Sequence, residues 1–102
     1  MNKIETGDEN KFTLSYYLSE EETAEPPFQY RSNYLADAVA EGWRIHQNNG
    51  IAIAVSQEQE SVFGKDELAE IFNRITELES EQPGRSAKEL AEQTIRETGK
   101  NV

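Results

Sequence analysis

With 102 residues, twenty acidic side chains against ten basic ones and a formal net charge of −10, the chain is sized for one domain and ill suited to phosphate backbones or anionic membranes. It has no cysteine, which excludes disulfides, thiolate metal sites and a cysteine nucleophile while leaving the compartment open. Only 35% of the residues are apolar, so one modest core is expected, with part of the chain loosely packed.

Residues 1–10 are polar and read as a flexible N-terminus. They lack the apolar centre of a signal peptide, and no run approaches membrane-spanning length, so a cytoplasmic location is the default expectation. In the stretch 11–18, Phe12, Leu14, Tyr16 and Leu18 alternate with Thr13, Ser15 and Tyr17, the pattern of a half-buried strand. The acidic, proline-ended run EEETAEPP then reads as an exposed loop carrying Glu20, Glu21, Glu22 and Glu25. A short extended piece, FQYRS, follows and is able to return beside the first strand.

Ser32 or Asn33 suits the cap of a helix over 34–41, with Leu35, Ala38 and Val39 as its apolar stripe. Gly42 stands where a left-handed residue would end that helix. Trp43 and Ile45 then alternate with Arg44 and His46, and Asn49-Gly50 resembles a tight turn before Ile51, Ile53 and Val55. The spacing therefore predicts a central hairpin, 43–47 with 51–56. A three-residue loop at 48–50 would pair Ile45 with Ile53 and Trp43 with Val55. A further strand over 60–63, after a turn near Glu58-Gln59, brings Val62 to the same face.

Leu68, Ile71, Phe72, Ile75 and Leu78 recur at helical spacing and predict the strongest helix over 65–81, with Asp66 and Glu67 at its positive end. Pro83-Gly84 breaks it. A second helix over 86–98 has a capping box, Ser86 with Glu89, a thin stripe of Ala87, Leu90, Ala91 and Ile95, and a terminating Gly99. That stripe is narrow, so 83–102 is expected to be peripheral or mobile and 11–82 to form the domain. The fold class is α+β: a small, mainly antiparallel sheet packed by the helices 34–41 and 65–81.

Chemistry is sparsely signalled. His46 is the single histidine, so histidine metal clusters and dyads are unavailable, and a surface or partly buried histidine is the plain reading. The acidic runs lack the ligand spacing of a calcium loop. Glu70 with Arg74 and Glu92 with Arg96 have the spacing of four that supports a helix. The glycines make no phosphate-cradling motif, and the serines make no nucleophile elbow. No catalytic, cofactor or metal site is expected, and no direct nucleic-acid or membrane binding.

The reading that remains is a non-enzymatic, acidic protein-binding module: a regulator, inhibitor or immunity-type protein, with mimicry of nucleic-acid charge as a special case. The alternatives are an accessory or oligomer-forming domain without its own ligand, and a small carboxylate-using enzyme. On the predicted hairpin, Arg44, His46, Ala52 and Ala54 share the face turned away from the core, a shallow surface against which another element could lie. Tyr17 or Tyr30 would be its aromatic anchor, and Glu20, Glu21, Glu22 and Glu25 would steer a basic partner. The plainer account of that face is that the chain's own C-terminal helix or 20–30 loop covers it.

Overall fold

The computed structural model describes residues 11–19, 21, 26–58 and 60–99; the expected flexible N-terminus and Glu20, Glu22 and Glu25 of the acidic loop lie outside them. Four strands, β1 (Phe12–Tyr17), β2 (Phe28–Ser32), β3 (Ile51–Gln57) and β4 (Glu60–Phe63), form one antiparallel sheet in the order β2-β1-β3-β4. Three helices, α1 (Leu35–Gln47), α2 (Lys65–Glu81) and α3 (Ala87–Thr98), complete a small α+β fold.

Alternation in β1 does what its sequence predicts. Phe12 and Leu14 are buried on the helix side, while Thr13 and Ser15 are half-buried on the other. A row of cross-strand partners, Tyr30–Leu14–Val55–Phe63, runs across all four strands beneath the helices. The opposite face carries Gln29–Ser15–Ala54 and Arg31–Thr13–Ser56–Ser61, a surface of mostly small polar side chains.

Two bulges break the alternation of the later strands. Ser15 opposes Ala54 and Tyr16 opposes Ala52, so Ile53 is an extra residue, and Ala52 turns into the core. Val55 opposes Phe63 and Ser56 opposes Ser61, so Val62 is extra, and Val62 and Phe63 are both buried.

The expected strand at 43–47 does not exist, nor does the helix end at Gly42. Residues 34–41 and 43–47 belong together in α1, which runs unbroken from Leu35 to Gln47. Leu35, Ala38, Val39, Gly42 and Trp43 continue one helical repeat. Ala36, Ala40 and Ile45 are buried too, because α1 packs against the sheet and also against α3. The step of two from Trp43 to Ile45 is thus a helix buried on two sides. Gly42 serves close approach: a Cβ there would stand 3.0 Å from Phe72 Cζ of α2 and 3.3 Å from Leu14 Cδ1 of β1. The Trp43 indole nitrogen donates to Thr76 Oγ1 of α2 at 3.1 Å, tying the two helices together.

Asn49-Gly50 closes this helix instead of turning a hairpin. Asn49 takes the left-handed conformation (φ 70°). Its N–H donates to the His46 carbonyl at 3.1 Å, and the Gly50 N–H donates to the Ile45 carbonyl at 2.8 Å. This pair of bonds satisfies carbonyls that the helix end leaves open. At the N-terminus, neither Ser32 nor Asn33 is the capping residue; Tyr34 is, without a side-chain bond. Ser32 Oγ instead accepts from the Tyr34 N–H at 3.1 Å and donates to Asp37 Oδ2 at 2.9 Å.

The helix over 65–81 is present as α2, with Leu68, Ile71, Phe72, Ile75 and Leu78 buried as expected. Its first turn is held by Glu67, whose carboxylate accepts from the Gly64 N–H at 2.9 Å. The capping box of Ser86 and Glu89 and the left-handed Gly99 also stand as expected in α3. That helix is not peripheral. Leu90, Ala91, Thr94 and Ile95 are buried, and the helix packs on both α1 and α2. Among the described residues no helix is long and apolar enough to cross a membrane.

Gly50 gives the sharpest test of this architecture. A Cβ there would overlap the Ile45 side chain and stand 2.8 Å from the Tyr17 carbonyl. Gly50→Ala is expected to destabilise by about 1–3 kcal/mol, the cost of overpacking, whereas Asn49→Gly relieves a left-handed residue and leaves stability equal or higher. Urea unfolding of the two variants measures both; a Gly50→Ala variant as stable as the parent would contradict the close approach of residue 50 to Ile45 and Tyr17.

Candidate functional site

The residues expected to form one docking face are separated by the fold. Ala52 is 6% exposed and faces the core, while Ala54 stays half-buried on the open face of the sheet, opposite Ser15. Tyr17, half-buried at the end of β1, pairs with Ile51. Arg44 and His46 are exposed on α1, not on a strand. Arg44 bonds Glu41 at 2.8 Å, a surface pair one turn apart. Tyr30 points to the helix side and donates to Asp37 Oδ2 at 3.3 Å. Burial, reinforced by the Asp37 carboxylate, pushes its phenol above the ordinary value. The common face therefore dissolves, and the reason is the helical course of residues 43–47.

Part of the set still meets at the C-terminal end of α1. His46 and Ala52 line a depression of about 290 Å³ with Gly50, Ile51, Lys65, Ala69 and Phe72. The imidazole sits 5.3 Å from the Phe72 ring, centroid to centroid. Beside it, Glu21 joins His46, Asn49 and Ile51 around a shallower hollow. The described residues around these two hollows include one carboxylate, one lysine and one histidine. Among the described residues no three histidine, aspartate or glutamate side chains come together to hold a metal.

A second groove, not anticipated from sequence, lies between α2 and α3. It encloses about 360 Å³ and is lined by Glu67, Glu70, Arg74, Thr94, Glu97 and Thr98 over the edges of Phe63 and Ile71. Three carboxylates here face one guanidinium. That guanidinium is already engaged: Arg74 Nε and Nη2 donate to the two oxygens of Glu97 at 3.0 and 3.3 Å, and Nη1 donates to Glu77 at 3.1 Å. The expected Arg74–Glu70 pair is therefore not the one formed, which leaves the Glu70 carboxylate on the rim. Sequence spacing placed Glu67, Glu70 and Arg74 along one side of a helix. Only the packing of α3 brings Glu97 to them.

The Arg74 bond holds the Glu97 carboxyl below its ordinary value, assisted by Gln93 Nε2 at 3.4 Å. A carboxyl lowered in this way stabilises the fold above its unfolded value, and the contribution is lost as pH falls through the lower folded value. Both partners are largely exposed, so the effect is small and screened by salt. Glu97→Gln is expected to lower thermal stability slightly at neutral pH and low salt. Parent and variant should converge at acid pH and at high ionic strength, as differential scanning calorimetry would record.

Comparison of the chain with protein-family models, with curated proteins and with solved structures found no match.

Proposed function

We propose that this protein is a non-enzymatic acidic module that binds another protein through a basic surface. The observation that carries the reading is the groove between α2 and α3. Glu67, Glu70 and Glu97 stand around it, and the one cation among its described residues, Arg74, is paired with Glu97 and Glu77. A concave site with unbalanced carboxylates favours lysine or arginine side chains, and the −10 charge of the whole chain steers such a partner toward it. A regulator, inhibitor or immunity-type protein fits this reading, and so does a mimic of nucleic-acid charge whose partner is itself a nucleic-acid-binding protein.

The test begins with capture of partners from the source cell and their identification by mass spectrometry. Affinity of the purified partner is then measured by calorimetry against ionic strength. The expected outcome is a basic partner whose binding weakens as salt rises. Glu70→Lys reverses a rim charge without touching the α2 cap and is expected to weaken that partner by about ten-fold or more, mostly through slower association. A partner that binds independently of salt and of residue 70 would remove the groove from the function.

A further inference from the structure

The groove between α2 and α3 has acceptors on both walls and an apolar floor. Glu67 and Glu70 stand on the α2 side, Thr94 and Glu97 on the α3 side, with the edges of Phe63 and Ile71 beneath. Thr94 is 2% exposed, and its hydroxyl hydrogen is spent on the Leu90 carbonyl at 2.9 Å, so a ligand meets it as an acceptor. Carboxylates likewise only accept. A ligand that engages both walls therefore brings several N–H donors and a positive charge. Arg74 shows within the molecule how one group does this. Its guanidinium donates to both oxygens of Glu97 on α3 through Nε and Nη2, and to Glu77 on α2 through Nη1. A single planar fork thus spans the two helices at this groove.

Resting on the reading of an acidic module with a basic partner, we infer that the groove receives an arginine side chain of that partner in preference to lysine. Glu70 on one wall and Thr94 on the other are its acceptors. A guanidinium carries its N–H groups in one plane and points them to several sides, so it reaches both walls at once. An ammonium is a compact, strongly hydrated charge, and it pairs with a carboxylate at the rim without shedding its water. The guanidinium is more weakly hydrated, and the methylene stem of arginine covers the edges of Phe63 and Ile71. Arg74 repels the incoming charge little, because Glu97 and Glu77 offset its own.

Two probes of equal charge isolate the side chain: N-acetyl-arginine N-methylamide and N-acetyl-lysine N-methylamide. Each is titrated into the whole isotope-labelled chain to about 50 mM, since one side chain binds only in the millimolar range. Amide shifts are followed by NMR with ionic strength held constant. The arginine probe is expected to move the amides of Ile71, Thr94 and Glu97 saturably and to bind about five-fold more tightly than the lysine probe. Glu70→Gln and Thr94→Val should each weaken it by about three-fold, the loss of one acceptor. Thr94→Ser keeps the hydroxyl and should bind as the parent does, and circular dichroism verifies the fold of all three. Thr94→Val leaves the net charge unchanged, which separates the groove from general attraction to an acidic chain. Equal binding of the two probes overturns the preference for arginine and leaves the basic partner standing. Arginine binding that ignores both Glu70→Gln and Thr94→Val lies elsewhere on the surface and overturns the inference too. Lys100 follows the last described residue and is the competing occupant from this chain. If the groove admits arginine only after Lys100→Ala, the chain fills its own site and the inference falls. If neither probe moves the groove amides, with or without Lys100→Ala, the groove drops out of the function altogether.

Discussion

The close approach of three elements at Gly42 is the constraint on which the rest of the molecule depends. Because residue 42 has no side chain, α1 lies near enough to Leu14 of β1 and Phe72 of α2 for both to touch its backbone. A glycine inside a helix costs roughly 1 kcal/mol relative to alanine, and here the cost is offset by contacts that a larger residue would push apart. One turn on, Trp43 reaches Thr76 and fixes α2 alongside α1. With α1 and α2 set on the sheet, α3 packs against both, and Arg74–Glu97 joins its far end to α2. The C-terminal helix is therefore a consequence of how the central helix is placed.

The Asn49-Gly50 junction carries the second half of that arrangement. A left-handed Asn49 ends α1, and Gly50 fits under the Tyr17 carbonyl at the end of β1. The same two residues thus close a helix and let β3 begin directly beside β1. Asparagine tolerates the left-handed region better than most side chains, so the pair Asn-Gly serves a helix end as readily as a hairpin. Sequence alone offers no means of separating these uses.

That ambiguity explains where the sequence was legible and where it was not. β1, β4, α2 and the capped α3 rest on local signals: alternation, helical spacing, Ser86 with Glu89, and Pro83-Gly84. Residues 43–47 are too few to distinguish a period of two from a helix buried on two sides, and α1 buries eight of its thirteen residues. The bulges at Ile53 and Val62 were equally hidden, because each depends on how two strands meet. The candidate site suffered most. A face composed of Arg44, His46, Ala52 and Ala54 required one strand that is a helix and one strand without a bulge. The groove between α2 and α3 required a tertiary contact, Arg74 with Glu97, between residues distant in sequence.

The distribution of charge follows from the same division into elements. β1 and β3 contain no charged residue, whereas α2 alone holds six carboxylates against two cations. Glutamate is a good helix former and a poor strand former, so an acidic composition settles on the outward faces of helices. The sheet's open face is left with serine, threonine and alanine, small side chains compatible with the pleat and with water. Arg74 and its carboxylate partners then sharpen the asymmetry, because that guanidinium is paired within the fold while Glu70 stays at the rim. Segregation has a second effect at the other side of the molecule. Acids drawn to the helices are acids missing from β2, so the edge strand that most needs charged protection against pairing holds only Arg31. The carboxylate that this strand does meet belongs to α1, where Asp37 accepts from both Tyr30 and Ser32.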